Sequence, residues 1–362
     1  MPVSLPAVPL PAVPPPDSGL PDAVLRRLGL RGVREVRPVM VGLTNRCWQV
    51  ETDRDGRLFV KQFLGAEPDR LRDQHRTVLA LRERGLAVAA PLVTPEGHTL
   101  TDAAGGLFAL YPWVEGRHLP GWRMSRGQAS ALGRQLAVLH RELAQLLPPG
   151  SPGPAAPTDR EAALRAIDAF LLRVTRRSDC DAFDRFVRAH LPGRRALLEA
   201  ARPLRPSPAA AEGMGWTHGD FHMANVLWYG GRIAAVLDFD ALTVRAYAQE
   251  VVRSLMLFFP SRDRRGLATA QAAAFVAGYL AVSPLSERQL AWAAELLWWE
   301  RACDLRHLER HYGRGDRTRD HLFVMDGLLL SWWSGHPDQV AAVLAGDVSP
   351  APIDAIPGGI PA

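Results

Sequence analysis

Residues 216–240 read WTHGDFHMANVLWYGGRIAAVLDFD, and short apolar segments alternate there with polar residues at their ends. The segments 226–229 and 233–237 have the length and composition of β-strands. The pair Gly230-Gly231 between them favours a tight turn. This stretch therefore predicts a β-hairpin, with polar residues just before its first strand and just after its second.

The polar residues at the two ends of the hairpin are of types that bind metal ions and move protons; they are His218, Asp220, Asn225, Asp238 and Asp240. Because a hairpin brings its outer ends together, Asn225 and Asp238 are expected to be neighbours, with Asp220 further along the loop. Two carboxylates and an amide oxygen suit a hard divalent cation such as Mg²⁺, which keeps several waters for a phosphate substrate. Asp220 is then left free to accept a proton.

The spacing of these residues resembles a known catalytic pattern. His218-x-Asp220-x4-Asn225, followed thirteen residues later by Asp238, is similar to the catalytic loop of protein kinases and their small-molecule relatives. In its details, HGDFHxANVL and VLDFD, it resembles the aminoglycoside phosphotransferase family, which includes choline and homoserine kinases. Four fixed residue types at fixed spacing arise by chance roughly once per hundred thousand starting positions. The resemblance covers about residues 25–335.

Local patterns along the chain predict a small, mostly antiparallel sheet crossed by one long helix, and then a mainly helical region. Strands are expected at 36–41, 47–51, 58–63, 92–93 and 107–110. Helices are expected at 22–30, 69–85, 125–147, 319–331, from a capping box at Thr158, and from a capping box at Ser286 to about His311. The resemblance implies an α+β, bilobal protein-kinase-like fold, with a small antiparallel-sheet N-lobe and a mainly helical C-lobe.

This organisation divides the chain into four parts. The predicted parts are a disordered Pro-rich tail (1–21), an N-terminal nucleotide-binding lobe (22–115), a helical C-lobe with the catalytic loop and substrate site (116–348) and a second disordered tail (349–362).

The resemblance also implies the residues that bind ATP. The family's nucleotide-positioning loop corresponds to a segment that includes Gly42, Thr44 and Asn45. Lys61 falls on the strand that carries the phosphate-binding lysine of the family. Tyr111 begins a segment that resembles the hinge between lobes, whose backbone would contact the adenine.

Catalytic roles follow from the same resemblance and from the logic of phosphoryl transfer, in which positioning and charge neutralisation dominate. Asp220 would orient and deprotonate the acceptor hydroxyl, and His218 would hold the loop by hydrogen bonds. Asn225 and Asp238 would bind Mg²⁺. Asp240 would serve a second metal ion or the substrate.

Lys61 is the only lysine in the chain, beside 42 arginines. A lysine kept where arginine is otherwise used favours a position that needs a compact charge on a slender stem. In the family this lysine usually pairs with a glutamate on the following helix, but that region here reads Arg72-Asp73-Gln74-His75-Arg76. Gln74, His75 or Asp73 would have to take the place of the glutamate.

The resulting prediction is an ATP- and Mg²⁺-dependent phosphotransferase that moves the γ-phosphate to a hydroxyl of a small molecule: an amino alcohol, an amino acid, a sugar or an aminoglycoside. One alternative is a Ser/Thr protein kinase. Another, favoured by the missing helix glutamate, is a pseudokinase or interaction scaffold with a kinase fold. The retained Lys61, Asp220, Asn225 and Asp238 oppose the scaffold.

Composition excludes several other classes. A chain of 362 residues with 47% hydrophobic and 22% charged residues is typical of a globular protein of one or two domains. The net charge of +5 is spread thinly, which argues against a nucleic-acid partner. No apolar run is long enough to span a membrane. Three cysteines without paired spacing favour a reducing, cytoplasmic location. A monomer or a homodimer is expected.

Other conspicuous residues have a structural interpretation. His222 and His140 are expected to be hydrogen-bonded structural histidines rather than catalysts. The pairs Trp298-Trp299 and Trp332-Trp333 fall in apolar helical runs, which favours core positions over a pocket for a cationic substrate. Six acidic residues between 159 and 184 are the only hint of a site for a polycation; they are Asp159, Glu161, Asp168, Asp179, Asp181 and Asp184.

Overall fold

The computed structural model describes residues 19–39, 45–94, 96–152, 159–200, 206 and 212–347. It has the predicted α+β, bilobal kinase-like fold, in which a five-stranded antiparallel sheet precedes a mainly helical part. The tails predicted at 1–21 and 349–362 lie outside the described residues, apart from residues 19–21.

The first lobe is built on the five-stranded sheet. Its strands are β1 (Val33–Val39), β2 (Arg46–Thr52), β3 (Gly56–Phe63), β4 (Thr101–Ala103) and β5 (Gly106–Pro112). Their spatial order is β1-β2-β3-β5-β4, and every neighbouring pair is antiparallel. Helix α1 (Asp22–Arg27) precedes the sheet, and helix α2 (Pro68–Glu83) connects β3 to the strands β4 and β5.

Alternation of buried side chains fixes one apolar face of this sheet. In β2, Trp48, Val50 and Thr52 are buried, and in β3 Leu58 and Val60 are buried, as the two-residue period of a strand predicts for one face. Helix α1 covers that face through Val24 and Leu25. The resulting core includes Trp48, Val50, Leu58, Val60, Phe108 and Leu110.

The strand predicted at 92–93 is wrong. Pro91 has no N–H to donate, and the segment forms one backbone hydrogen bond to the sheet, from Leu92 N to Leu110 O (2.7 Å), without becoming a strand. The fifth strand is instead β4, at 101–103.

The second lobe is mainly helical. Its helices are α3 (Arg126–Leu146), α4 (Arg160–Thr175), α5 (Ala182–Ala200), α6 (Tyr247–Phe258), α7 (Thr269–Leu280), α8 (Glu287–Cys303), α9 (Arg306–Leu308), α10 (Asp320–Gly335) and α11 (Pro337–Leu344). The predicted capping box at Ser286 is confirmed: its hydroxyl accepts from Gln289 N, and the Gln289 side chain accepts from Ser286 N. Ser125 begins α3 in the same way with Gln128.

Several helix ends differ from their predictions: α1 ends at Arg27 rather than Leu30, and α10 ends at Gly335 rather than Ser331. Asp159 begins α4, because its carboxylate accepts from Glu161 N and Ala162 N, and Thr158 lies outside the described residues. Helix α8 ends at Cys303 rather than near His311. There the buried Arg194 of α5 donates to Ala302 O (2.9 Å) and Asp304 O (2.8 Å), so a distant side chain satisfies the carbonyls of the last turn.

Helices α3 and α7 form a close crossing in the core of the second lobe. Gly133 of α3 lies where an added Cβ would stand 1.9 Å from Phe275 O of α7. A Cβ added at Gly278 of α7 would likewise stand 2.1 Å from Ser130 O of α3. The absence of side chains at these positions lets the two backbones touch.

The predicted hairpin lies between the two lobes. Its strands are β7 (Val226–Tyr229) and β8 (Arg232–Val236), which confirms the prediction, and a second short pair joins β6 (Met214–Thr217) to β9 (Thr243–Ala246). Val236 is hydrogen-bonded to the segment after α2, donating to Ala87 O (2.8 Å) and accepting from Ala89 N (2.9 Å). The hairpin ends are thereby fixed beside the first lobe.

Among the helices in the described part of the chain, none combines the length and the apolar character that crossing a membrane requires.

Candidate active site

Asn225 and Asp238 are neighbours across the hairpin ends, as the sequence predicts. Leu237 N donates to Asn225 O (2.9 Å), so Asp238 follows directly on the residue that pairs with Asn225. The Asn225 amide also donates to Asp220 O (2.9 Å), which ties the catalytic loop to the hairpin. Asp220, Asn225 and Asp238 thus converge at one edge of the hairpin.

Asp220 is held by two cationic or cation-capable groups. Arg253 of α6 donates to its Oδ1 (2.8 Å), and the His222 imidazole contacts its Oδ2 (3.1 Å). Burial would raise the pKa of Asp220, but the His222 contact and the Arg253 charge outweigh it and hold the pKa well below its usual range. The carboxylate is therefore ionised throughout the physiological pH range.

His218 is fully buried and supports the loop. Its Nε2 donates to Leu237 O (2.9 Å) and its Nδ1 accepts from Asp220 N (3.3 Å). Burial lowers the pKa of His218 despite nearby Glu250, so the ring is neutral. This arrangement matches the predicted structural role and leaves no ring nitrogen for proton transfer.

A buried carboxylate on α6 binds the backbone of the loop that contains His218 and Asp220. Glu250 accepts from His218 N (2.9 Å) and Gly219 N (2.5 Å). Its other contact is His140 of α3, whose Nε2 lies 2.7 Å from Glu250 Oε2. Burial would raise the pKa of Glu250, but His140 lowers it below its usual range. Glu250 and His140 are thus structural, as the sequence interpretation has it.

Lys61 enters the site from the first lobe and pairs with both aspartates of the VLDFD stretch. Its Nζ lies 2.8 Å from Asp238 Oδ1 and 2.7 Å from Asp240 Oδ2. Burial lowers the pKa of Lys61, but the two carboxylates more than compensate and raise it above its ordinary value. The only lysine is thus a buried ammonium ion at the junction of the lobes.

Two further residues of the first lobe contact Asp240. Asn45 Nδ2 donates to Asp240 Oδ2 (2.9 Å), and Gln74 Nε2 of α2 donates to the Asp240 backbone carbonyl (2.9 Å). Asn45 also accepts from Leu64 N (3.2 Å). The other two residues of the predicted nucleotide-positioning loop, Gly42 and Thr44, lie outside the described residues.

Tyr111 lies within β5, where its register pairs it with Phe59 of β3, and not in a segment that follows the strand. Its hydroxyl contacts His75 Nε2 of α2 (3.1 Å). Burial, together with Asp240, Asp238 and Cys47, raises the pKa of Tyr111. Burial and the Lys61 charge lower the pKa of His75 to about 4, so this ring is neutral. Both side chains close the space behind Lys61.

The oxygen donors present fit a Mg²⁺ ion that is shared with phosphates. Asn225 and Asp238 offer an amide and a carboxylate at positions that the hairpin brings next to each other. In the described ranges no three His, Cys, Asp or Glu side chains are grouped as a metal site. This agrees with Mg²⁺ chemistry, since Mg²⁺ at nucleotide sites commonly uses one or two protein ligands, phosphate oxygens and waters.

The tryptophan pairs are mostly core, as predicted. Trp299 and Trp333 are buried, and Trp298 and Trp332 pack partly buried against the core. Trp298, Trp299 and Trp333 also line a cavity of about 800 Å³ between α8 and α11, whose walls include none of the catalytic-loop residues. The acidic residues at 159–184 are largely engaged: Asp168 pairs with Arg195, and the buried Asp184 with Arg177 and Tyr312.

Arg253 is a site residue that the sequence patterns did not indicate. The residue lies on α6 three positions after Glu250, which is nearly one helical turn, so a helix that places Glu250 behind the loop presents residue 253 on a neighbouring part of its surface. That periodicity was the available signal. The contact with Asp220 depends on how α6 packs, which the local pattern does not specify.

A family model described as "Phosphotransferase enzyme family" matches residues 35–285. The chain belongs to this phosphotransferase family. The match reaches into both lobes and includes Asn45, Lys61 and the residues at both ends of the hairpin.

Solved structures of other phosphotransferases have the same fold. An aminoglycoside phosphotransferase from Alicyclobacillus acidocaldarius is similar with a TM-score of 0.58 and 17% identity, over 90% of this chain and 94% of that one. A spectinomycin phosphotransferase, solved with ADP and spectinomycin, has a TM-score of 0.60 and 15% identity, over 89% and 95% of the two chains.

A sequence relative from Salmonella typhimurium is named serine/threonine protein kinase RdoA. It is 30% identical over 223 residues, which is 54% of this chain and 55% of the relative. The chain therefore spans about half the length of the curated relatives that it matches.

Proposed function

We propose that this phosphotransferase uses Mg²⁺ and ATP to phosphorylate a hydroxyl group of a small molecule. The observation that carries the proposal is the convergence of Lys61 from the first lobe with Asp220, Asn225 and Asp238 from the second. Phosphoryl transfer requires a cation for the phosphates, ligands for the metal ion and a carboxylate at the acceptor hydroxyl. ADP in the structure of the spectinomycin phosphotransferase supports the choice of nucleotide.

In this proposal each residue has one task. Lys61 holds the α and β phosphates, and Asn225 and Asp238 hold Mg²⁺. Mg²⁺ held by these two residues would supply positive charge that neutralises the charge developing on the phosphates. Asp220 accepts a hydrogen bond from the acceptor hydroxyl and receives its proton. His218 and Glu250 keep the loop backbone in the geometry that aims Asp220.

The depressed pKa of Asp220 bears on how it acts. A carboxylate this acidic is a weak base, so it orients the hydroxyl first and takes the proton only as the new oxygen–phosphorus bond forms. In a loose phosphoryl-transfer transition state the attacking oxygen carries little extra charge, and orientation contributes most of the rate. The pairing with Arg253 and His222 suits that role.

A protein hydroxyl is the second candidate acceptor, and the specific observation in its favour is the name of the Salmonella typhimurium relative, serine/threonine protein kinase RdoA. Other relatives that match are named stress response kinase A, and the matches cover only part of their length. A flexible protein segment and a small alcohol would present the same hydroxyl to Asp220. The two functions therefore differ in the acceptor and not in the chemistry.

The test is Mg²⁺-dependent ADP release from ATP. The panel comprises aminoglycosides, choline, ethanolamine, homoserine and sugars, with generic Ser/Thr kinase substrate proteins as the second arm. Release that requires one small-molecule class and disappears in Asp220→Asn would support the proposal, with exposed Asp73→Asn as the matched control. Transfer of radiolabel to proteins alone would favour the second function. An absence of both turnover and stabilisation by Mg²⁺·ATP would contradict the kinase reading.

A further inference from the structure

Asp240 contacts three residues of the first lobe, Lys61, Asn45 and Gln74, which a second metal ligand would not need. We propose that Asp240 is the positioning residue that holds Lys61 for the ATP phosphates, in place of the helix glutamate that this chain lacks. This inference rests on the proposed function, because it assigns the partner of the lysine at the same site. It assigns to Asp240 a role different from a second metal ligand.

The lysine is enclosed by carboxylates of the second lobe. Lys61 Nζ lies 2.7 Å from Asp240 Oδ2 and 2.8 Å from Asp238 Oδ1, and the Lys61 side chain is only 8% exposed. An ammonium ion this buried needs a permanent counter-charge. If Asp238 turns to Mg²⁺, Asp240 is the carboxylate that remains.

Helix α2, all of which the structure describes, supplies no acid to Lys61. Its first two acidic residues, Asp69 and Asp73, have side chains 95% and 67% exposed and pair with arginines of the same helix. Glu83 lies in the last turn and is exposed. The inward positions are Gln74 and His75, which are neutral.

The same helix instead secures Asp240. Gln74 donates to the backbone carbonyl of Asp240 at 2.9 Å, so α2 contacts the partner of the lysine and not the lysine itself. His75 is occupied by Tyr111. Helix α2 is therefore still connected to Lys61, but indirectly, because Gln74 contacts Asp240 and Asp240 contacts the lysine.

Asn45 secures the carboxylate of Asp240 from the other side. Its Nδ2 donates to Asp240 Oδ2 at 2.9 Å, and that oxygen is the one that Lys61 contacts. Asn45 is itself fixed by Leu64 N. An oxygen that already accepts from Asn45 and Lys61 has little remaining capacity for a metal ion. Asp238 accepts at Oδ1 from Lys61 (2.8 Å).

Because Lys61 is the only lysine in 362 residues, it is the only side chain that an amine-specific reagent acylates, and its peptide is distinguished by mass from the acylated N-terminus. The first measurement is the rate at which an N-hydroxysuccinimide ester acylates Lys61 in the full-length protein without nucleotide, followed by mass spectrometry of the Lys61 peptide. Asp240→Asn is expected to raise this rate about tenfold, because Lys61 loses one of the two carboxylates that enclose its amine. Asp240→Glu should restore most of the protection, and Asp73→Asn should leave the rate unchanged.

The second measurement separates positioning from metal binding without any turnover. It is the Mg²⁺ concentration that gives half of the thermal stabilisation by ADP. Asp238→Asn is expected to raise this concentration at least about fivefold, as loss of a charged ligand would. Asp240→Asn should leave it within about twofold of the wild type. Circular dichroism of each variant establishes that it is folded before either measurement is made.

Two results would overturn the inference: acylation of Lys61 that is unchanged in Asp240→Asn, or a Mg²⁺ requirement that rises as much in Asp240→Asn as in Asp238→Asn. The second result would make Asp240 a metal ligand. If ADP and Mg²⁺ fail to stabilise the wild-type protein, the proposed function is contradicted, and so is a role of Asp240 in positioning Lys61 for ATP. The acylation rates then still decide whether Asp240 is the partner of Lys61.

Discussion

Asp220 is bound on each carboxylate oxygen by a different side chain, Arg253 on Oδ1 and His222 on Oδ2. Arg253 is partly buried, and its Nη1 is enclosed without a hydrogen-bond partner among the described residues. A guanidinium in this position fixes the orientation of the carboxylate and keeps it ionised. At the residue scale, the proposed alignment of the acceptor hydroxyl by Asp220 would therefore depend on Arg253, a residue of α6.

We expect Arg253→Gln to lower kcat by about ten- to a hundredfold, because a small displacement of Asp220 misaligns the hydroxyl. The KM for ATP should change less than about twofold, since the nucleotide contacts lie on Lys61. Arg253→Lys should recover part of kcat, because it restores the charge with a single donor. Steady-state kinetics with the acceptor identified by the panel test this. An unchanged kcat in Arg253→Gln would show that the pair is only structural.

His75 makes the stability of the fold dependent on pH. Its pKa is lowered to about 4 in the folded protein from an ordinary 6.5, so below pH 6.5 the unfolded chain binds a proton that the folded one excludes. This contribution is complete above pH 6.5 and is lost as the pH falls to about 4. The loss amounts to at most about 3 kcal/mol.

The measurement is urea unfolding of the wild type and of His75→Gln at pH 7 and at pH 4. The stability advantage of the wild type should shrink by about 3 kcal/mol between these pH values. Other titrating groups are common to both proteins and cancel in the difference. A constant difference would contradict the assignment of a buried neutral imidazole at position 75.

At the scale of elements, the second lobe depends on the contact of α3 with α7. These helices approach each other closely at Gly133 and Gly278. Further along α3, the His140 ring contacts the Tyr279 hydroxyl of α7 (2.9 Å) and Glu250 of α6. The position of the catalytic loop is therefore coupled to this crossing. Helix α3 acts as the support on which α6, and with it Asp220, is aligned.

Gly133→Ala is expected to destabilise the protein by at least about 2 kcal/mol, because its Cβ would overlap the Phe275 carbonyl and separate the helices. Gly127→Ala on the same helix is the matched control. Its Cβ would find only Ser125 Oγ, at 3.8 Å, so its stability should equal or exceed that of the wild type by up to about 1 kcal/mol. Chemical denaturation compares the two. Equal stabilities would contradict the close crossing.

At the scale of the whole molecule, charged and polar side chains connect the lobes at the nucleotide site. Lys61, Asn45 and Gln74 of the first lobe all contact Asp238 or Asp240 of the second. A nucleotide whose phosphates are held by Lys61 would add to these contacts. Ligand binding should therefore stabilise both lobes together.

We expect ADP with Mg²⁺ at about a hundred times its Kd to stabilise the folded protein by about 2.7 kcal/mol, which corresponds to roughly 5 °C in Tm. Lys61→Met should lose more than half of this shift at the same concentrations. Arg57→Met, an exposed substitution on the same strand, should keep it. Differential scanning fluorimetry measures all three proteins. A full shift in Lys61→Met would contradict the phosphate-binding role of the lysine.

Local sequence patterns were sufficient to predict the hairpin and the meeting of Asn225 with Asp238 at its ends, because strand period, glycine turn and residue type are local properties. The absence of any other lysine also drew attention to Lys61. The same local reasoning failed at 92–93, a segment that forms one hydrogen bond to the sheet without becoming a strand, and at the end of α8, where Arg194 of α5 binds the last carbonyls.

Tertiary structure alone decided which groups meet across the chain. Arg253 reaches Asp220 because α6 packs behind the loop, and Asp240 reaches Lys61 because the hairpin lies against the first lobe. In sequence these pairs are 33 and 179 residues apart. No periodicity links such positions. Their contact depends on helix packing and on the orientation of the lobes, which arise from the burial of apolar faces over the whole molecule.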